Sequence, residues 1–379
     1  MKISLCMIVK DEEKFIEMCL ENALPNVDEV IIVDTGSTDN TKQIIGKYGD
    51  KIKLIEAEWE NDFAKSRNLS IEHATGDWIL MLDADEKILI YKDLKTIIKE
   101  NDNVEGFYIP FYNIVNSSDI IFSNVYIKLF KNKYKYKGKI HEQLEVPLEK
   151  VRRIGEDEIK IIHFGYINNV YQSKDKSKRN LEILQKELAT KTNDPFILYN
   201  LGVTYYSMGD YRKSLYYFFK CNENLDTICK GKMTSYESDM LIRITSILNN
   251  LGEYNETIKF ITDIITEVRN IPEIYYNLGI AYESIGELDE AINAYKMAIE
   301  VGENRELISV VGIGSFYPKF KIAKIYEKQG KIMDAALMYI EGVFDKNNIL
   351  RKGVNETKQF LEKNRLDDIL IEFNNLIKK

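Results

Sequence analysis

Five apolar residues run unbroken from Trp78 to Leu82 and end in Asp83-Ala84-Asp85-Glu86. A run this short, stopping in acids, predicts a strand buried on both faces rather than a helix. Two carboxylates then stand at i and i+2 with a small residue between them. At the carboxyl end of a sheet strand, acids in this pattern hold a ligand or a hard divalent cation. A solvated acidic turn would give the same letters, and Asp-x-Asp is common by chance, so the rest of the chain must decide.

Strand and helix signals alternate ahead of this stretch. Ile3–Val9 is an apolar strand ending in Lys10-Asp11-Glu12-Glu13, which opens a helix to about Glu21. Glu29–Val33 is a second strand, ending at Asp34. The tight turn Thr35-Gly36-Ser37-Thr38-Asp39 follows, and Thr38, Asp39 or Asn40 can cap the next helix. Ile52–Ile55 is a third strand and Phe63–His73 a third helix, before the breaker Thr75-Gly76. This alternation predicts a mostly parallel, twisted sheet covered on both faces, with ligands at the carboxyl ends of its strands. Three strand ends carry charge: Lys10-Asp11-Glu12, Asp34 and Asp83/Asp85. One site explains all three more simply than three coincidences.

Composition narrows the class. The chain has 379 residues, 45% hydrophobic and 30% charged, which suits a globular protein of two or three domains. A net charge of -8 without a dominant Lys/Arg block argues against nucleic acid as a partner. No apolar run approaches the length of a membrane span, and Met1-Lys2-Ile3-Ser4-Leu5 reads as the start of a strand rather than a signal peptide. Cys6, Cys19, Cys221 and Cys229 lack metal-ligand spacing and read as reduced thiols of a cytoplasmic protein.

After Glu86 the pattern changes. Lys92–Glu100 reads as a helix. Gly106–Tyr112 and Val125–Phe130 read as strands, as do Tyr136–Glu142 and Ile159–Tyr166. Two of the three histidines, His141 and His163, end such runs, while His73 lies on a helix and reads as structural. A lone histidine is more often a satisfied, half-buried side chain than a ligand.

From about Tyr171 the period becomes helical and the chain repeats. Asn200-Leu201-Gly202-Val203-Thr204-Tyr205-Tyr206-Ser207-Met208-Gly209 matches Asn277-Leu278-Gly279-Ile280-Ala281-Tyr282-Glu283-Ser284-Ile285-Gly286, with further copies around Gly252 and Gly330. The turn glycines are 43, 34 and 44 residues apart. Small residues fall seven places before each glycine (Gly202, Thr245, Gly279, Ala323) and five after it (Ser214, Thr257, Ala291, Ala335). Those offsets let two antiparallel helices approach closely, which is the tetratricopeptide pattern. Asn355–Lys379 reads as capping helix. Gly312-Ile313-Gly314 lacks a third glycine and an α/β setting, so it is discounted as a dinucleotide loop.

Assembled in order, Cys6-Met7-Ile8-Val9-Lys10-Asp11-Glu12-Glu13, Val33-Asp34-Thr35-Gly36-Ser37-Thr38-Asp39, Phe63-Ala64-Lys65-Ser66-Arg67-Asn68 and Asp83-Ala84-Asp85-Glu86 resemble an inverting family 2 glycosyltransferase of the GT-A, nucleotide-diphospho-sugar transferase fold. Gly138-Lys139-Ile140-His141-Glu142, His163-Phe164-Gly165-Tyr166 and Ser177-Lys178-Arg179-Asn180, followed by repeats, narrow the likeness to the bacterial sublancin-type peptide S-glycosyltransferase group. The resemblance implies an α/β GT-A domain over 1–171 and an all-α tetratricopeptide-repeat domain over 172–379.

It also implies roles. Asp34 and Arg67 would contact the uracil of a UDP-sugar, and Val9, Lys10, Asp11 and Glu12 would line the nucleoside. Asp83 would face the ribose or serve as a metal ligand, and Ala84 would belong to the nucleotide-binding residues. Asp85 and His163 would bind Mn2+ or Mg2+, Gly106 would belong to a loop near the donor sugar, and Glu142 would be the catalytic base with His141 behind it. Asp11 stands where relatives commonly have Asn. The chemistry agrees: a divalent cation neutralises a leaving diphosphate, an added histidine favours Mn2+, and an acceptor hydroxyl or thiol needs a base opposite the leaving group.

The expected reaction moves a sugar, with glucose and N-acetylglucosamine the first to test, to a Cys, Ser or Thr side chain of a peptide or protein. Repeat arrays offer concave surfaces for extended peptides. A saccharide or cell-envelope acceptor, with the repeats serving docking or a homodimer, is the rival expectation. A non-catalytic scaffold is the third.

Overall fold

The computed structural model describes residues 1–115, 120–165, 170–225, 234–266, 268–304, 308–348 and 351–378. Expectations on Tyr166, Cys229 and Lys379 lie outside them. The chain forms two compact units, Met1–Asn224 and Leu225–Lys379. The change from strand to helical period falls near 171, yet the first three long helices cluster with the first unit.

That unit begins with β1 (Ile3–Val9), α1 (Ile16–Ala23), β2 (Glu29–Asp34), α2 (Thr41–Gly46), β3 (Ile52–Glu56), α3 (Phe63–Glu72) and β4 (Trp78–Met81). There follow β5 (Glu86–Ile90), α4 (Leu94–Lys99), β6 (Gly106–Val115), β7 (Ile120–Lys131), β8 (Tyr136–Lys137), β9 (Gln143–Leu144), β10 (Val151–Arg153) and β11 (Ile159–His163). Along the main sheet the order is β3-β2-β1-β4-β7-β6-β11-β5, with β10 beside β6. The β3-β2-β1-β4 half is parallel, as the alternation predicts. The long β7 enters antiparallel to both β4 and β6, and β5 is antiparallel to β11. Strands that return without a helix account for this mixed second half.

The opening stretch is buried on both faces. Trp78, Leu80 and Leu82 pack with Ile3, Leu5 and Met7 of β1 against Ile16 and Leu20 of α1. Ile79 and Met81 pack the other way, with Cys6, Ile31 and Ile71 of α3. Each such side chain contributes roughly 1.5–3 kcal/mol by leaving water.

The helix expected from Lys10–Glu13 starts later, at Ile16. The intervening backbone is used by the neighbouring strand-end turn. The N–H groups of Asp11, Glu12 and Glu13 donate to Ser37 Oγ, Thr41 Oγ1 and Asp39 Oδ2 at 3.0, 2.7 and 3.1 Å. Asp11 adopts φ +56, a left-handed conformation that Asn and Asp tolerate best among residues with side chains. Its Oδ1 accepts the Thr38 N–H at 2.7 Å. Either Asp or Asn can do both.

The first unit closes with α5 (Val170–Thr190), α6 (Pro195–Ser207) and α7 (Tyr211–Glu223). The second holds α8 (Ser235–Asn250), α9 (Tyr254–Ile264), α10 (Pro272–Ile285), α11 (Leu288–Val301), α12 (Phe316–Lys328), α13 (Ile332–Val343), α14 (Val354–Lys363) and α15 (Asp367–Ile377). All four turn glycines have positive φ, from +72 at Gly330 to +91 at Gly286. Small residues at the predicted offsets make the crossings: a Cβ on Gly202 would lie 2.4 Å from Phe218, and one on Gly279 2.5 Å from Tyr295. Among the described residues, no helix is long and apolar enough to cross a membrane.

Candidate active site at the strand ends

The carboxyl ends of β1, β2 and β4 gather the predicted residues. Asp34, the last residue of β2, is 1% exposed. Its Oδ1 accepts the N–H groups of Gly36 and Ser37 at 2.9 and 2.8 Å, while buried Oδ2 has no hydrogen-bond partner among the described residues. A buried carboxylate oxygen left unpaired costs roughly 1–3 kcal/mol or more. An incoming N–H would remove that cost. The Val9 and Ala84 side chains lie in the core, so only their backbones can face a ligand. Lys10 and Asp11 are exposed, and Glu12 is half-buried.

Past β4, two of the three expected metal ligands meet. Asp85 Oδ2 lies 3.2 Å from His163 Nε2 at the end of β11. His163 Nδ1 is 2.7 Å from Asn113 Oδ1 on β6, and that bond orients the ring and directs Nε2 at Asp85. Burial works against charge on this imidazole, but Asp85 outweighs it and raises the pKa above 6.5. A Cβ on Gly165 would come 2.4 Å from Asp85 Oδ2 and 2.6 Å from His163 Nε2, so only glycine leaves room beside the pair. One carboxylate oxygen and one imidazole nitrogen are donors of the kind that suits a Mn2+ or Mg2+ ion.

Asp83, the third residue expected near the metal, is paired with cations instead of meeting Asp85 and His163. Arg67 Nη1 and Nη2 donate to its two oxygens at 2.8 and 3.3 Å, and Lys128 Nζ lies 3.6 Å away. Burial opposes the Asp83 charge, but these cations outweigh it and hold the carboxyl well below its usual range. No cluster of three or more His, Cys, Asp or Glu groups that could hold a metal occurs among the described residues. Arg67 is likewise engaged away from Asp34: its Nε donates to Glu142 Oε1 at 2.5 Å.

Two residues that were given no role, Glu86 and Lys128, complete a line of alternating charge, Glu86–Lys128–Asp83–Arg67–Glu142. Lys128 Nζ donates to both oxygens of Glu86 at 2.7 and 2.9 Å, and Glu86 is 2% exposed. Burial pushes the Glu86 carboxyl up to about 7, against the pull of Lys128. Burial also opposes charge on Lys128, but Glu86 and Asp83 outweigh it and raise its pKa. The available signal was a lysine inside the apolar run Val125-Tyr126-Ile127-Lys128-Leu129-Phe130.

His141 and Glu142 do not lie in an extended segment. Gly138 and His141 have φ +95 and +53, and the chain between β8 and β9 is a loop. Burial lowers the His141 pKa, which keeps the ring neutral at pH 7. Ile140 anchors the loop in a cluster with Ile183, Leu184, Ile197 and Leu201 of α5 and α6. Gly106 is not on a loop. It opens β6, paired with Phe130, and a Cβ there would meet Ile127, Val146 and Val151 at 3.3 to 3.5 Å.

Residues 4–145 match the family Glycosyl transferase family 2, and residues 272–304 match the tetratricopeptide repeat. A TPR repeat-containing protein of Synechococcus elongatus is 30% identical over 220 residues, 55% of this chain and 53% of that protein. The SPbeta prophage-derived glycosyltransferase SunS of Bacillus subtilis is 25% identical over 283 residues, 72% of this chain and 65% of the relative. Poly(ribitol-phosphate) beta-N-acetylglucosaminyltransferase TarS of Staphylococcus aureus is 35% identical over 97 residues, 23% of this chain and 17% of TarS. The chain thus spans between half and two thirds of the first two relatives.

Proposed function

From a chain whose residues 4–145 match glycosyltransferase family 2 and whose residues 272–304 match a tetratricopeptide repeat, we propose an enzyme that moves a sugar from a UDP-sugar to a Cys, Ser or Thr side chain of a peptide or protein. Glucose and N-acetylglucosamine are the first donors to test. The observation that carries this reading is the Asp85–His163 pair, held open by Gly165.

The geometry supports the following roles. Asp34 Oδ2 takes an N–H of the base, and the backbone of the Val9-Lys10-Asp11-Glu12 turn borders the nucleoside. Asp85 and His163 hold Mn2+ or Mg2+, which when bound neutralises charge on the departing diphosphate. His163 must be neutral to do so, with its proton on Nδ1 toward Asn113. Glu142 is the base. Arg67 fixes Oε1, and Oε2 has no bond among the described residues, so it is available to take the acceptor proton as the sugar bond breaks. Asp83 aligns the other side of the Arg67 guanidinium and Lys128 aligns Asp83, so the base is held in place from the buried Glu86 outward. The repeats bind the acceptor rather than the nucleotide, and the protein works in the cytoplasm.

Hydrolysis of UDP-sugars without acceptor, with and without Mn2+, tests the enzyme reading. Mass spectrometry of peptides encoded by neighbouring genes tests the acceptor. Absence of turnover with every UDP-sugar and metal would leave a scaffold. The similarity to TarS favours a cell-envelope saccharide as the second reading, and label appearing there rather than on peptide would select it.

A further inference from the structure

Arg179 lies on α5 in the stretch Ser177-Lys178-Arg179-Asn180. Its guanidinium carbon sits 5.4 Å from the centre of the Phe63 ring and 5.8 Å from that of Trp59. Those two rings meet edge to face at 4.7 Å. The Nε–H is buried and has no hydrogen-bond partner among the described residues. One Nη2 bond reaches the Asn180 side chain at 3.3 Å, and no carboxylate pairs with this cation among the described residues. Arg67 makes the contrast, with Asp83 on one side and Glu142 on the other.

The two arginines belong to one neighbourhood. Phe63 precedes Arg67 by one turn of α3, so their side chains share a face, about 6 Å apart at Cβ. The Phe63 N–H donates to the Lys139 carbonyl at 2.8 Å, beside Ile140 and the loop of His141 and Glu142. A guanidinium stays charged at every physiological pH. Partly desolvated and stacked on aromatic rings without an anion, it is complete only when a ligand brings one.

We propose that Arg179 is an anion-binding residue of the active site, held by Trp59 and Phe63 to take a phosphate or carboxylate oxygen of a substrate. The inference rests on the glycosyltransferase reading above. Two sources carry that chemistry: the diphosphate of the donor, and a carboxylate flanking the acceptor residue of a peptide. A guanidinium fork suits both.

The test uses the full chain as wild type, Arg179→Gln and Arg179→Lys, with melting temperature checked for each. Calorimetry measures binding of UDP and of inorganic pyrophosphate, both with Mn2+. Fluorescence of the underlying Trp59 follows two cysteine-centred pentapeptides, one flanked by Glu and one by Gln. If the donor is the source, Arg179→Gln weakens UDP and pyrophosphate by about tenfold or more, and Arg179→Lys restores part of it. If the acceptor is the source, donor affinity is unchanged and Arg179→Gln erases a preference for the Glu-flanked peptide. A folded Arg179→Gln protein with wild-type affinity for all four probes overturns the proposal. Wild type that binds pyrophosphate but not UDP breaks the donor reading alone, while the Arg179 comparison still stands on pyrophosphate and peptide. Wild type that binds none of the probes overturns both.

Discussion

Burial is achieved in opposite ways at the repeat crossings and at the strand ends. Where α10 meets α11, atoms are left out: Gly279 lies under the Tyr295 ring, and Ala281, Ala291 and Ala298 fill the rest with no exposed surface. Past the end of β4 and inside β7, charged groups are kept and paired, Lys128 against Glu86 and Asp83, Arg67 against Asp83 and Glu142. The first arrangement tolerates change in proportion to volume. The second depends on every partner, because removing one leaves a buried charge without its counterion.

Five measurements would break or sharpen that contrast. The largest effect is expected at Asp85, where exchange for Ala should lower turnover by roughly a thousandfold and weaken Mn2+ binding, with the fold kept. Full, metal-independent turnover of that variant would remove the pair from the mechanism. Next comes Lys128→Met, expected to cost roughly 3–5 kcal/mol in urea unfolding. Gly279→Ala, which overpacks a repeat crossing, should cost roughly 1–3 kcal/mol and leave turnover per folded molecule alone. Equal costs would mean that the charged line is no more brittle than an apolar contact. Glu142→Gln should then lower turnover roughly a hundredfold or more while UDP affinity holds. Near-normal turnover with a hydroxyl acceptor, beside an inactive His141→Ala, would move the base to His141.

The smallest effect concerns pH. The imidazolium of His163 is favoured by Asp85, so its folded pKa lies above the ordinary 6.5. In metal-free protein its contribution to stability is fully present below 6.5 and is lost as the pH rises through the higher folded value. Mn2+ needs the neutral ring, so its affinity should climb over the same range, with one proton released. A Mn2+ affinity flat across that range would exclude His163 as a ligand.

The contrast also explains what was legible in the letters. Gly202, Gly279 and their partners sit at fixed offsets within one helix pair, so their packing could be read from spacing alone. Asp34 and His163 end strands and Asp85 stands in the turn after β4, and such positions are visible in a periodicity. Which cation takes Asp83 was not visible, because Arg67 arrives from α3 and Lys128 from β7, and only the folded sheet sets them together. His141 was misread as extended because its left-handed backbone leaves no mark in a non-glycine letter. Glu86 was read as the third acid of a motif; its near-complete burial gave it Lys128 instead.

Under the role proposed for Asp34, its uncovered oxygen sets a rule for which nucleotides can be exchanged at this site. It accepts and cannot donate, so a base that docks there must present a hydrogen. Uracil carries one on N3. Cytosine carries a lone pair at that place, and pressing it against a buried carboxylate is worse than a missing bond, because it repels. CDP-linked sugars would therefore be turned away by a mismatch of polarity between rings of nearly equal size. Asp34→Asn offers an N–H to the same spot and should bring the two pyrimidines toward parity.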